Sequence, residues 1–223
     1  MIYRARDLHF QYWLDLHPVP ALRGVSLEIQ EGESLVLSGP SGSGKSTLLS
    51  LLGLIEPLQA GSLKFSGEEV ATSSEERKNH IRRHQVGFVF QNFQLFPTLT
   101  AEENVEYFLI RQGVETLERK KRVKQALEAV GLWDRRGHRP LELSGGQRQR
   151  VAVARAAAKR PKVILADEPT ASLDQETGRE ILSMLDRLRI EYGTTLIIAS
   201  HDPMVLQRAE RVYRLMDGRE VST

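Results

Sequence analysis

The sequence predicts an α/β chain: a core with a mainly parallel sheet, an antiparallel β subdomain at the N-terminal end, and an inserted helical subdomain. Three observations carry this expectation. Short, nearly continuous apolar runs recur at Ser34–Ser38, Val86–Phe90, Val163–Ala166 and Thr194–Ala199, and such runs belong to parallel strands covered on both faces. Residues 1–33 instead read as short alternating strands with turns. Residues 92–160 show only helical patterns, set between strands. The expected division is one domain over 1–223, with 1–91 and 161–223 as core plus β subdomain and 92–160 as the helical subdomain.

Size and composition set bounds. The chain has 223 residues, 40% of them hydrophobic, enough for a real core. A formal charge of +2 gives no bulk indication of nucleic-acid binding. The absence of cysteine excludes disulfides and thiolate metal sites. The first seven residues contain no apolar h-region, so no signal peptide is expected. The most apolar run, Leu48 to Ile55, is too short to span a bilayer.

In chain order, Ile2–Arg6 and Gly24–Ile29 read as strands, with Val25, Leu27 and Ile29 alternating. Ser34–Ser38 is a buried strand, and Thr47 onward a helix. Leu63 and Phe65 mark a half-buried strand over Gly61–Phe65; Glu75–Arg83 is a polar helix or loop. Thr100 and Glu103 form a capping box ahead of a helix with Val105, Phe108 and Leu109 inward. Leu117–Val130 is amphipathic and closed by Gly131, and Ser144–Lys159 is a third helix. Gln175–Tyr192 turns Ile181, Leu182, Leu185 and Leu188 inward and ends at Gly193. Asp202-Pro203 starts a further helix, and Asp217-Gly218 turns a terminal hairpin.

The chemistry is concentrated after the strands. Gly39-Pro40-Ser41-Gly42-Ser43-Gly44-Lys45-Ser46-Thr47 fits G-x-x-x-x-G-K-[ST], between a strand and a helix. Its glycines let backbone N–H groups approach phosphate oxygens, Lys45 supplies a point charge, and the Ser46 hydroxyl can ligate Mg²⁺. The motif indicates a nucleoside triphosphate. Asp167, at the end of an apolar strand, is the expected second support for Mg²⁺. Glu168 beside it is the candidate to polarise a water aimed at the γ-phosphate. His201 and Gln91 also follow apolar strands. His201 can donate to the γ-phosphate or hold Glu168 or the water; Gln91 can orient the water or touch Mg²⁺. In sheets of this kind ligands bind beyond the carboxyl ends of the strands, so all four strand endings are candidates for one nucleotide.

Leu143-Ser144-Gly145-Gly146-Gln147 has two readings. Ser-x-x-Gln is a capping box and so a helix start. Two glycines weaken a first helical turn by up to about 1 kcal/mol each. Their presence points to a group that approaches this backbone closely, and a hydroxyl, bare N–H groups and a helix N-terminus suit a γ-phosphate.

Taken together, the cradle, Gln91, LSGGQ at 143–147, VILADE at 163–168, Ala171-Ser-Leu-Asp174 and His201 resemble the nucleotide-binding subunit of ATP-binding-cassette transporters along essentially the whole chain. The resemblance implies a P-loop NTPase fold that hydrolyses ATP with Mg²⁺. It also implies that two chains close head to tail, with Ser144, Gly145, Gly146 and Gln147 of one facing the ATP of the other and Asp174 at the shared interface. An aromatic near the N-terminus is expected on the adenine, either Tyr12 or its rival Trp13. A separate integral membrane permease is the implied partner, with a periplasmic adaptor as a further one, and no nucleic acid. The cassette is then cytoplasmic, held at the inner face of the membrane through the permease. Leu95 and Phe96 are expected near the surface that receives a short permease helix, and Arg148, Arg150 and Arg155 on a solvated or salt-bridged face.

The flanking residues are similar to the lipoprotein-releasing and macrolide-export branch and to the heterocyst glycolipid exporter. Export of a lipid, lipoprotein or drug-like substrate is the implied role. Ala171-Ser172 departs from the Gly-Asn of many branch members. The alternative is a cassette that regulates a cell-division or cell-wall complex without cargo. DNA-repair and translation ATPases of the superfamily differ in carrying a coiled-coil insertion or two cassettes.

Overall fold

The structure, a computed structural model, describes residues 1–221. Two compact units are formed, Met1–Asn79 with the chain from Ile197 onward, and His80–Leu196.

The first unit opens with strands β1 (Tyr3–Leu14) and β2 (His17–Ile29), one long antiparallel hairpin rather than short separate strands. Register shifts between Ala5 and Leu8, Leu8 and His9, and Phe10 and Gln11 break the strict alternation, which hides the strand from a periodicity reading. Pro18 and Pro20 are tolerated because β2 lies at the edge of its sheet, where a missing N–H leaves no ladder partner orphaned. Strand β3 is Ser34–Ser38, as expected, and helix α1 is Lys45–Leu52. Strands β4 (Ala60–Phe65) and β5 (Glu68–Glu69) complete an antiparallel sheet in the order β2-β1-β4-β5. Helix α2 (Glu75–Gln85) resolves the helix-or-loop alternative in favour of helix.

The second unit contains β6 (Val86–Val89), α3 (Ala101–Arg111), α4 (Thr116–Ala129), α5 (Gly145–Ala158), β7 (Val163–Asp167) and α6 (Gln175–Tyr192). The Thr100 capping box is present, and Gly131 and Gly193 stand just past α4 and α6 at φ +66° and +63°. Helix α5 is buried along most of its length, from Val151 to Ala158. Alanines at 152, 154 and 156–158 allow close packing; a Cβ at Gly87 of β6 would lie 3.2 Å from the Cβ of Ala156. Strands β6 and β7 pair in parallel.

Strand β8 (Thr195–Ala199) runs from the second unit into the first. It is followed by the four-residue helix α7 (Pro203–Leu206), capped by Asp202 as expected, and by β9 (Arg211–Met216) and β10 (Arg219–Glu220). The strand order is β10-β9-β3-β8 in the first unit and β8-β7-β6 in the second. The terminal hairpin forms, and its first strand also lies parallel to β3, a pairing that local sequence does not encode.

Candidate active site

The phosphate cradle is built by β3, the loop over residues 39–44 and α1. Gly39, Gly42 and Gly44 take φ of +151°, +78° and +102°. Gly39 is the tightest: a Cβ there would lie 2.1 Å from the carbonyl oxygen of Leu215. That carbonyl belongs to the terminal hairpin, whose Gly218 N–H also donates to Ser43 O at 3.1 Å. Leu215 and Gly218 thus buttress the cradle from β9 and its turn. Only the spacing Asp217-Gly218 hinted at them, and only as a turn.

Lys45 is buried, and its Nζ donates to Gly39 O at 2.8 Å and Pro40 O at 2.9 Å. Ser43 is 2% exposed, and its buried hydroxyl has no hydrogen-bond partner among the described residues. A buried unpartnered hydroxyl, a lysine folded over the loop and the amino end of α1 together fit a polyphosphate. Pro40, Ser41, Gly42 and Ser46 are exposed around the loop.

Of the two aromatics, Tyr12 is the one at the cradle: its hydroxyl lies 3.3 Å from Thr47 Oγ1, and its ring meets Phe10 edge-on at 5.0 Å. Trp13, the next residue on the strand, points to the opposite face and is 63% exposed. His201 stands exposed two residues past β8, and the intervening Ser200 N–H donates to Leu37 O at 3.0 Å, one residue before Ser38 leads into the loop. These placements belong to the first unit.

The second unit carries the other candidates. Asp167 closes β7 and Glu168 follows it, both half-buried. Glu168 has φ +44°, the left-handed region, and precedes Pro169. For a non-glycine residue that conformation costs on the order of 1–3 kcal/mol, and such strain clusters at functional sites. Gln91 is exposed two residues past β6. Beyond it Phe93 and Gln94 are also left-handed, at φ +60° and +45°. The donors Ser46, Gln91 and Asp167 are all oxygen ligands, the kind Mg²⁺ takes. Among the described residues no group of three or more His, Asp or Glu is arranged to hold a metal by itself.

The Ser144–Gln147 turn is the helix start that Ser-x-x-Gln predicts. Ser144 Oγ accepts from Gln147 N–H at 3.2 Å, and Gln147 Oε1 accepts from Ser144 N–H at 2.9 Å, a complete capping box. The two glycines differ. A Cβ at Gly146 would lie 2.5 Å from Thr177 Cγ2 on α6, so packing within the chain demands glycine there. A Cβ at Gly145 would meet nothing closer than 3.9 Å. Asp174 is the N-cap of α6, accepting from Thr177 N–H at 2.9 Å and Thr177 Oγ1 at 2.7 Å. Those bonds hold its carboxyl below the usual carboxylate range.

A family model described as ABC transporter matches residues 22–171. The chain belongs to the ABC transporter family. It is an ABC ATPase, and its mixed α/β architecture is that of the cassette. It is 50% identical over 201 residues to an uncharacterised ABC transporter ATP-binding protein of Thermotoga maritima, covering 90% of this chain and 86% of that one. It is 42% identical over 216 residues to the macrolide export ATP-binding/permease protein MacB of Escherichia coli K12, covering 97% of this chain and 33% of MacB. The chain therefore spans one third of MacB but most of the Thermotoga protein. Among solved structures, the dimeric MJ0796 cassette bound to ADP and Pi is similar with a TM-score of 0.92 and 39% identity, over 99% of this chain and 97% of that one. No described helix is long and apolar enough to cross a membrane.

One cluster in this cassette escaped the sequence reading. Phe88, Phe90, Phe96 and Phe108 line a pocket of about 230 Å³ with Arg155 and Lys159. Phe96 is among its lining residues and Leu95 is not. Arg155 is a correction: it is 5% exposed, not solvated. Arg150 is paired with Glu180, and Arg148 lies over the Phe93 ring at 5.0 Å. The alternating Phe88-x-Phe90 and the i, i+4 spacing of Arg155 and Lys159 were the available signals.

Proposed function

We propose that this ATPase is the cytoplasmic subunit of an exporter, closing in pairs on ATP and driving a separate membrane permease for a lipid, lipoprotein or drug-like substrate. The observation that carries the pairing is the open space at Gly145: the start of α5 bears an exposed serine and a glycine with room for a group from outside the chain. The dimeric MJ0796 cassette and the joint ATP-binding and permease naming of MacB support the same reading.

In this proposal the ATP phosphates lie in the loop over residues 39–47, and Lys45 transfers its bonds from Gly39 and Pro40 to phosphate oxygens. Tyr12 stacks on the adenine. Ser46, Gln91 and Asp167 would hold Mg²⁺, which when bound would supply positive charge to the phosphates. Glu168 accepts a proton from water as the water oxygen bonds to the γ-phosphorus, and the bond to the ADP oxygen breaks with its electron pair leaving on ADP. His201 donates to the γ-phosphate and Gln91 orients the water. Ser144, Gly145, Gly146 and Gln147 of the second chain close the site, with Asp174 at the interface. Catalysis is then mainly positioning plus charge stabilisation.

The test is solution mass. Glu168→Gln with ATP and Mg²⁺ is expected to run as a dimer in light scattering, and Glu168→Gln combined with Ser144→Arg as a monomer. A monomer in the first case, or a dimer in the second, would sink the opposed-site arrangement.

A further inference from the structure

Helix α5 buries two polar side chains, Gln149 and Arg155, among its valines and alanines. Each reaches the backbone just past a parallel strand. Gln149, one turn into α5 and 0% exposed, donates from Nε2 to Pro169 O at 2.9 Å. Pro169 directly follows Glu168. Arg155 donates to Phe93 O at 2.9 Å and to Gln94 O, in the turn that follows Gln91. Both held turns contain non-glycine residues in the left-handed region, Glu168 in one and Phe93 and Gln94 in the other. Backbone of that kind persists only where its surroundings over-determine it. The strands concerned, β7 and β6, are parallel neighbours with Val89 opposite Ala166, so one helix serves both of their ends.

Of the two, Gln149 is placed to control Glu168. A backbone carbonyl can only accept, so the amide turns Nε2 to Pro169 and leaves its Oε1 buried, with no hydrogen-bond partner among the described residues. An orphaned buried acceptor is costly, and an apolar side chain would fill this position without it. The amide supplies an anchor instead. Peptide bonds are planar and the proline ring fixes its own φ, so only ψ of Glu168 and ψ of Pro169 can turn between the Glu168 Cα and the held carbonyl. Ala171 N–H donates to Glu168 O at 3.2 Å and closes the turn around them. We infer that Gln149 is a positioning residue for ATP hydrolysis: its bond to Pro169 O fixes the left-handed backbone of Glu168 and so the aim of the carboxylate. The inference rests on the reading of Glu168 as the base and adds the group that holds it in place.

Kinetics on the full chain test it. Gln149→Met keeps the length of the side chain and removes the donor. Its kcat for ATP hydrolysis is expected to fall at least about tenfold, with KM for ATP within about twofold of the native value. In the Glu168→Gln background no base is left to aim. There Gln149→Met should change the residual rate, read as single-turnover phosphate release, by less than about twofold. If Gln149→Met does not fold, Gln149→Asn takes its place: it keeps the amide but is one methylene too short for Pro169 O, and the same split is expected. A kcat within about twofold of native, with or without a raised KM, overturns the positioning role and leaves Glu168 as the base. So does a loss that repeats in full in the Glu168→Gln background, because Gln149 then acts independently of the carboxylate. Native turnover in Glu168→Gln alone overturns the base reading, and the inference with it.

Discussion

At Glu168 the residue type and its backbone carry separate information. The carboxylate after an apolar strand is visible in sequence; its left-handed φ of +44° is not, because nothing in a Glu-Pro dipeptide calls for it. The surrounding strand end must hold it there. Glu168→Gln keeps size and polarity and removes the proposed base, so turnover is expected to fall by at least about 10²-fold with ATP binding retained. Phosphate release beside equilibrium binding of a fluorescent ATP analogue measures the two separately. Gly39 gives the converse case. Gly39→Ala drives a Cβ against the backbone carbonyl of Leu215, which has no flexible end to yield. Loss of ATP binding together with destabilisation of about 1–3 kcal/mol is expected, read from binding and urea unfolding.

The start of α5 shows what a helix end can do beyond ending a helix. Ser144 and Gln147 satisfy each other's backbone N–H, so the capping box stands without any ligand. The two glycines separate structure from function. Gly146→Ala puts a methyl 2.5 Å from the branched side chain of Thr177 and is expected to destabilise by about 1–3 kcal/mol. Gly145→Ala meets no such contact and gains helix propensity, up to about 1 kcal/mol. Under the paired-site proposal it nonetheless fills the space meant for the second chain's nucleotide, so ATPase activity should fall while the melting temperature holds or rises. Unimpaired activity in Gly145→Ala would count against an outside group there. The β1–β2 hairpin makes a related point. Its bulges disguise 12- and 13-residue strands as fragments, yet that length is what carries Tyr12 to Thr47.

Across the whole molecule the informative charge is a buried one, Lys159. Lys159, the residue that caps α5, faces Arg155 on that helix, His84 on α2, the Phe108 ring, and the carbonyls of Arg82 and Val86. Its folded pKa of about 8 lies below the 10.5 of an ordinary lysine. Between those values the unfolded chain binds more protons than the folded one, so this group makes stability rise with pH there and adds nothing to the slope below pH 8. Relative to Lys159→Met, the native chain should gain on the order of 2 kcal/mol between pH 8 and 10. Urea midpoints of both proteins at the two pH values test this; parallel curves would contradict it.

The sequence by itself determined most of the architecture and the nucleotide chemistry of this ABC ATPase. Those depend on short-range patterns: apolar runs, capping pairs at Thr100 and Ser144, glycines past α4 and α6, and a contiguous glycine-rich loop between β3 and α1. Tertiary structure alone decided what depends on residues distant in the chain. It set β9 parallel to β3 and brought Leu215 and Gly218 beneath the cradle. It chose Tyr12 over Trp13 for the cradle side of the strand. It also buried Arg155, expected on a solvated or salt-bridged face, together with Lys159 in a pocket lined by Phe88, Phe90, Phe96 and Phe108. The physical reason is the same in each case: a residue's type and neighbours fix its local conformation, but its desolvation and partners are set by segments tens of residues away.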